Sequence, residues 1–166
     1  MNKGGDIIVW EKESPELAAT YSYPEVLSIP ISIAFCSSQE SSGGDANKFI
    51  DGDTSTIWHS AYSVTVAIYP HYIDFDANEV VEIKGFMYLP RQDSGTNGNI
   101  KAYKLQVSDD GKNWGEAVVQ GEFENNRKQQ TVLFPKPVKA RYVRFTALSS
   151  QNGQDFASGA EFELIR

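Results

Sequence analysis

Hydrophobic and polar residues alternate in short runs along this chain, and a helical period of apolar residues is almost nowhere found. The clearest run, 102–108, places Tyr103, Leu105 and Val107 on one face and polar residues on the other, as in a half-buried strand. It ends at Asp109-Asp110-Gly111, a strong turn sequence. This pattern predicts β-structure.

Further runs rich in β-branched and aromatic residues are separated by Gly, Asn, Asp and Pro. They predict strands at Tyr72–Phe75, Val81–Leu89, Thr131–Phe134, Tyr142–Ala147 and Glu161–Ile165. Gly85, inside the second of these, indicates a bulge or a close backbone approach. The sequence therefore predicts an all-β sandwich.

The first thirty residues differ from the rest, because Pro15, Pro24 and Pro30 interrupt them and their periodicity is poor. We interpret residues 1–30 as a linker or the edge of a preceding module. The compact domain is then expected at 31–166, a length sufficient for one hydrophobic core.

The formal net charge of −7 makes some partners unfavourable. It disfavours nucleic acid, which normally needs a basic patch, and it disfavours attraction to anionic membranes. A neutral ligand or a bound cation remains compatible. Cys36 is the single cysteine, so no internal disulfide forms, and it is expected to be a small buried hydrophobe.

The segment 47–60 carries the most informative chemistry. Asp51, Asp53 and Thr56 offer hard oxygen atoms, and Gly52 permits a tight turn that brings them together. Calcium prefers such ligands, although the spacing is not that of an EF-hand. The alternative is a surface turn whose aspartates bond to nearby backbone.

Five segments together resemble the coagulation factor V/VIII type C, or discoidin, superfamily, and most closely family 32 carbohydrate-binding modules. They are 47–60, Tyr88–Asp93, Val107–Trp114, Ala140–Arg144 and Ala157–Glu161. The resemblance implies a jelly-roll-like, galactose-binding-domain-like sandwich of about eight antiparallel strands, with one structural calcium ion.

The resemblance also implies a set of calcium ligands drawn from both ends of the domain. They are the backbone oxygen of Lys48, the carboxylates of Asp51 and Asp53, the backbone and side-chain oxygens of Thr56, the carbonyl of Ala160 and the carboxylate of Glu161. One ion held this way would link distant segments and so remove entropy from the unfolded chain.

Galactose-binding members of the family use a histidine just after the tryptophan, an arginine, an asparagine and a stacking aromatic residue. The resemblance therefore implies a sugar site in this chain at His59, Arg91, Asn97 and Phe156. Arginine presents a planar fork of donors to adjacent hydroxyls. Histidine and asparagine can both donate and accept, and a phenyl ring offers an apolar face to the C–H side of a pyranose.

Each of these residues also has a structural interpretation. His59 could be a buried structural histidine, Arg91 could pair with Asp93, Asn97 could simply form a turn with Gly98, and Phe156 could belong to the core. Three tyrosines could also line the site, and the sequence does not choose among Tyr62, Tyr69 and Tyr72. Trp58 and Trp114 are expected in the core.

The expected function is a non-catalytic module that binds terminal galactose- or N-acetylgalactosamine-type sugars and targets a linked glycoside hydrolase to glycans. The alternative is an adhesion module for a protein or phospholipid surface, but no basic cluster flanks the apolar run 64–68. Catalysis is disfavoured, because calcium-bound Asp51 and Asp53 would be poor general acids. A signal peptide is not recognisable, so by itself the sequence fits either an intracellular protein or a piece of a larger secreted chain. For a carbohydrate-binding module we expect an extracellular, cell-surface or periplasmic location as part of a larger secreted chain.

Overall fold

A computed structural model describes residues 27–166 and shows an antiparallel β-protein. Within these residues it contains a 3-10 helix, Ala46–Phe49, and the strands β1 (Ser28–Ile29), β2 (Ser32–Cys36), β3 (Trp58–His59), β4 (His71–Leu89), β5 (Ala102–Ser108), β6 (Val119–Glu122), β7 (Gln130–Ala147), β8 (Ser158–Gly159) and β9 (Glu161–Ile165). The all-β prediction is confirmed. The predicted linker, as far as residue 26, lies outside the described residues.

Two long strands, β4 and β7, form the centre of the fold and pair with each other along almost their whole length. Each merges two of the predicted strands. The β4–β7 register shifts between Asp76 and Val81 and again between Ile83 and Gly85, so the pair bends. A Cβ at Gly85 would lie 2.3 Å from the carbonyl oxygen of Val132. The predicted bulge and close approach at Gly85 are both present.

The bend divides the strands between two halves of the sandwich. The first half of β4 pairs with β2, and the second half pairs with β9. On the other side of β7 lies β5, followed by β6. Aromatic residues of the core fill the space between, with Phe75 and Phe162 stacked at 4.5 Å between ring centroids.

Of the two tryptophans assigned to the core, only Trp58 is fully buried. Trp114 is half-buried on the outer face, where its ring lies 4.5 Å from the Arg144 guanidinium. The expectation for Trp114 is therefore wrong. The turn before it directs the indole over an arginine of β7, which covers the apolar ring without burying it. Cys36 is half-buried, and its thiol donates to the Ser38 carbonyl.

The strands β3 and β8 pair at the end of the sandwich where the long loops lie. Gly159 in β8 packs directly on the Phe49 ring, where a Cβ would approach to 2.2 Å. Elsewhere, β1 pairs with β9 through Ser28 and Ile165, and the Arg166 amide donates to the Leu27 carbonyl at 2.8 Å. None of the helical structure between residues 27 and 166 is long and apolar enough to cross a membrane.

Candidate functional site

A cleft of about 280 Å³ opens among the loops beside β3. Its lining includes all four residues expected in a sugar site, which come from separate parts of the chain. The full lining is Glu40, Ser42, Gly43, Gly44, Ile57, His59, Tyr62, Arg91, Asn97 and Phe156. The structure therefore brings the four candidates together in one place, with aromatic and polar side chains combined.

Arg91 follows the end of β4 and is held in a fixed orientation. Its Nε and Nη2 donate to the two carboxylate oxygens of Asp93 at 2.7 and 2.8 Å, and its Nη1 donates to the Asn97 carbonyl at 3.0 Å. The pairing with Asp93 is present, yet Arg91 also lines the cleft. A guanidinium has five N–H groups. These contacts use three and leave one on each terminal nitrogen for a ligand.

His59 in β3 is buried, with 6% of its surface exposed. Its Nδ1 lies 2.8 Å from the Ser60 carbonyl oxygen, so Nδ1 carries the proton and Nε2 is left as an acceptor. Burial lowers the pKa of His59, and the positive charge of Arg91 acts in the same direction. His59 is therefore neutral at pH 7 and can accept a hydrogen bond from a hydroxyl group.

Asn97 is exposed and forms the expected turn, since Gly98 after it has a φ of +87°. The backbone carbonyl of Asn97 accepts from Arg91 and, at 2.9 Å, from the Ser158 hydroxyl. The turn thus links the arginine loop to β8. Asn97 also lines the cleft, and its side-chain oxygen accepts from the Asn152 amide at 3.4 Å.

Phe156 is half-buried and belongs to the cleft instead of the core cluster. Its ring centroid lies 5.5 Å from that of His59, and both rings contact Tyr62, at 6.2 and 4.8 Å respectively. Tyr62 is therefore the tyrosine that lines the cleft. The Tyr69 hydroxyl instead donates to the Phe156 carbonyl and supports the loop from behind.

Glu40 is a cleft residue that sequence reasoning missed. Its buried carboxylate accepts from the amides of Tyr62 and Ser63 at 2.8 and 2.9 Å, and also from the Ser63 hydroxyl. These donors lower the pKa of Glu40 to about 2. A glutamate in a polar loop gives little sign of this role, because its partners lie more than twenty positions away.

The segment expected to hold calcium forms a second cluster at the start of β9. The Thr56 hydroxyl donates to Asp51 Oδ2 at 2.7 Å, and Glu161 Oε1 accepts from the Gly52 amide at 3.0 Å. One carboxylate oxygen of Asp53 is engaged by the amide and hydroxyl of Ser55. Lys48 lies in the 3-10 helix, and Ala160 immediately precedes Glu161.

The electrostatics of this cluster fit a hard cation. Burial, and to a smaller extent the nearby carboxylates of Asp51 and Glu163, together raise the pKa of Glu161 to about 7, although the hydrogen bond from the Gly52 amide acts in the opposite direction. A buried carboxylate beside another is costly without a positive charge. Between residues 27 and 166, no three His, Cys, Asp or Glu side chains converge as a metal site by themselves. The expected shell therefore depends on backbone and hydroxyl oxygens, which calcium accepts.

The fold and the cleft define an antiparallel β-sandwich that carries a small polar and aromatic cleft on the loops at one end. The chain belongs to the F5/8 type C domain family, which residues 33–162 match. This confirms the resemblance drawn from the five sequence segments, and structural neighbours of the chain are family 32 carbohydrate-binding modules.

Curated relatives are much longer proteins. A sialidase of Micromonospora viridifaciens is 37% identical over 137 residues, covering 81% of this chain and 21% of the relative. A galactose oxidase of Gibberella zeae is 35% identical over 133 residues, covering 79% of this chain and 19% of the relative. The chain thus spans about a fifth of these relatives.

Solved structures match over nearly their full length. A module of Clostridium perfringens in complex with GalNAc-beta-1,3-galactose is 32% identical, with a TM-score of 0.75 over 84% of this chain and 99% of that chain. The family 32 module of Clostridium perfringens NanJ in complex with galactose is 26% identical, with a TM-score of 0.73 over 84% of this chain and 98% of that chain.

Proposed function

We propose that this domain is a non-catalytic module that binds a terminal galactose- or N-acetylgalactosamine-type sugar in the cleft. The observation that carries the proposal is the convergence of His59, Arg91, Asn97 and Phe156 on one cleft. Arg91 offers donors, neutral His59 offers an acceptor, and Asn97 offers both. Phe156 and Tyr62 supply apolar surface. The complexes of two relatives with galactose-containing ligands support the same choice.

The energetics of so small a cleft suit a tethered module. A monosaccharide has about 12 heavy atoms, and at about 0.3 kcal/mol per atom it gains roughly 3.6 kcal/mol, a dissociation constant in the millimolar range. Such weak binding is useful when the module is linked to another domain, because it raises the local concentration of that domain at the glycan. We therefore propose that the domain works outside the cell, where it brings a covalently linked glycoside-active enzyme to its glycan.

A glycan array tests the proposed ligand. We expect binding to glycans that end in galactose or N-acetylgalactosamine and competition by free galactose. Glucose, which differs in the orientation of one hydroxyl group, is the matched control and is expected not to compete. If the domain bound none of the galactose- or N-acetylgalactosamine-ended glycans on the array, the proposal would be refuted.

We also propose that calcium occupies the cluster of Asp51, Thr56 and Glu161, with Asp53 and the backbone oxygens of Lys48 and Ala160 completing the shell. The support is the buried Glu161 carboxylate next to Asp51, which has too little positive charge around it in the protein alone. Bound calcium would stabilise the loop that leads into β3 and His59. Its role is structural, and the ligand does not contact it.

Gly95 gives a test of how the arginine is positioned. A Cβ at Gly95 would lie 2.8 Å from Arg91 Cζ, and the flexible side chain would have to move away. We expect Gly95→Ala to weaken galactose binding several-fold, measured by titration calorimetry or ligand-observed NMR, with little change in melting temperature. Gly115→Ala is the control, because a Cβ there meets no atom within 4 Å. Equal affinities of the two variants would contradict the positioning of Arg91.

A further inference from the structure

The loop that follows β3 exposes an unusual number of apolar side chains next to the cleft. Four of the nine exposed large hydrophobic residues that the structure describes lie within residues 62–68: Tyr62 (48%), Val64 (92%), Val66 (49%) and Ile68 (69%). The sequence has no Asp, Glu, Lys or Arg between positions 54 and 73. Clusters of this kind mark binding surfaces more often than scattered apolar residues do.

The loop is held in place at several points. The Glu40 carboxylate accepts from the amides of Tyr62 and Ser63. The Ser38 hydroxyl accepts from the Ala61 amide at 2.9 Å, and the Ala67 amide donates to the Ala61 carbonyl at 3.2 Å. The apolar side chains are therefore presented to solvent by a braced loop.

Tyr62 belongs both to this group of exposed apolar residues and to the lining of the cleft. Successive Cα atoms are about 3.8 Å apart, so Val64 lies within about 8 Å of Tyr62 along the chain. Other residues of the cleft are polar: Arg91 and Asn97 line it, Asp93 beside Arg91 is 47% exposed, and Asn152 is hydrogen-bonded to Asn97. A ligand longer than one sugar thus meets apolar side chains where it leaves the cleft over Tyr62, and polar ones where it leaves over Arg91 or Asn97.

We infer that the preferred ligand is a galactoside with an apolar alkyl aglycone, which leaves the cleft over Tyr62 and packs on Val64, Val66 and Ile68. This inference rests on the proposed function, since the sugar must occupy the cleft. Val64, Val66 and Ile68 are aliphatic and uncharged, although the hydroxyl residues Ser63 and Thr65 alternate with them. These three side chains gain most from an alkyl chain that removes their methyl groups from water.

The test compares methyl and hexyl galactosides, in both anomeric forms, by titration calorimetry with the whole chain. We expect the hexyl compound in one anomeric form to bind about tenfold tighter than the methyl compound. Burial of a few apolar carbon groups is enough for a gain in affinity of this size. In Val64→Ser/Ile68→Ser the advantage disappears while methyl galactoside binds as before. Val80→Ser is the control, because Val80 is 58% exposed on β4 outside the cleft, and it keeps the advantage.

The outcomes separate the two proposals. Equal affinity of the methyl and hexyl compounds overturns the inference and leaves the sugar site intact. Failure of both compounds to bind removes the proposed function and the inference with it. A hexyl advantage that persists in Val64→Ser/Ile68→Ser, or that hexyl glucoside shares, shows unspecific apolar binding and also overturns the inference. So does retention on phosphatidylcholine vesicles that contain no galactolipid, since the loop would then bind lipid without sugar.

Discussion

Arg91→Ala is expected to abolish measurable binding of galactose-type sugars. The variant removes the two N–H groups that Arg91 keeps free of Asp93 and Asn97. A hydrogen bond to a charged group contributes about 1.5–3 kcal/mol, so the affinity should fall at least about tenfold from a millimolar starting value. The measurement is titration calorimetry or an array signal against a galactose-ended glycan. The melting temperature should change by only a few degrees, because Asp93 is 47% exposed although Arg91 is 14% exposed, and an ion pair open to water on one side contributes about 1 kcal/mol.

Arg141→Ala is the matched control for this variant. Arg141 donates to both carboxylate oxygens of Asp76, at 2.8 and 2.9 Å. The Arg141→Ala variant therefore loses the same kind of ion pair as Arg91→Ala. It lies on β7 and does not line the cleft. We expect it to bind sugar normally. Galactose binding that survives Arg91→Ala, or that Arg141→Ala removes equally, would contradict the assignment of the cleft.

Removing the calcium ion that we propose is expected to lower the melting temperature by about 5–10 °C with no sugar present. An ion at a hundred times its dissociation constant contributes about 2.7 kcal/mol, and 1 kcal/mol corresponds to about 2–4 °C in a domain of this size. Without the ion, the Glu161 carboxylate stays buried next to Asp51 with little compensation. Thermal unfolding with chelator and with added calcium measures the difference.

Glu161→Gln sharpens this experiment. The amide removes one proposed ligand and also relieves the repulsion between the two carboxylates. The variant should therefore fold without calcium and show the same melting temperature with chelator as with calcium. Glu122→Gln, an exposed change of the same charge on β6, should keep the full response. A wild-type protein that responds neither to chelator nor to calcium would remove calcium from the proposal.

The strands were predictable where local alternation is strong, and less so where long-range geometry decides. The run 102–108 is β5 with the predicted bounds, because one face is buried and the other is polar. The sequence predicted two separate strands in place of β4 and two in place of β7, which is wrong. The shifts in the β4–β7 register nevertheless fall in or beside the predicted gaps. Both strands continue through a bend, which depends on their pairing with each other and is not a property of either segment alone.

The cleft was predictable only in part. Single residues such as His59 and Arg91 also had structural interpretations, and it was the family resemblance that selected them. The structure places them together, whereas their roles with a ligand stay predictions. Glu40 could not be predicted, since its function depends on amides supplied by a loop that folds back from beyond His59.

The hydrogen bond between the Arg166 amide and the Leu27 carbonyl has a consequence for larger architectures. Together with the pairing of β1 and β9, it brings the two ends of the domain side by side. Any chain that arrives at Leu27 and any that departs from Arg166 therefore meet at one point, as in domains that tolerate insertion. Such a domain adds no length between its neighbours. Within a longer chain, such a domain would branch from the line of neighbouring domains instead of lengthening it, so the proposed sugar cleft could face a glycan while the neighbours keep their separation.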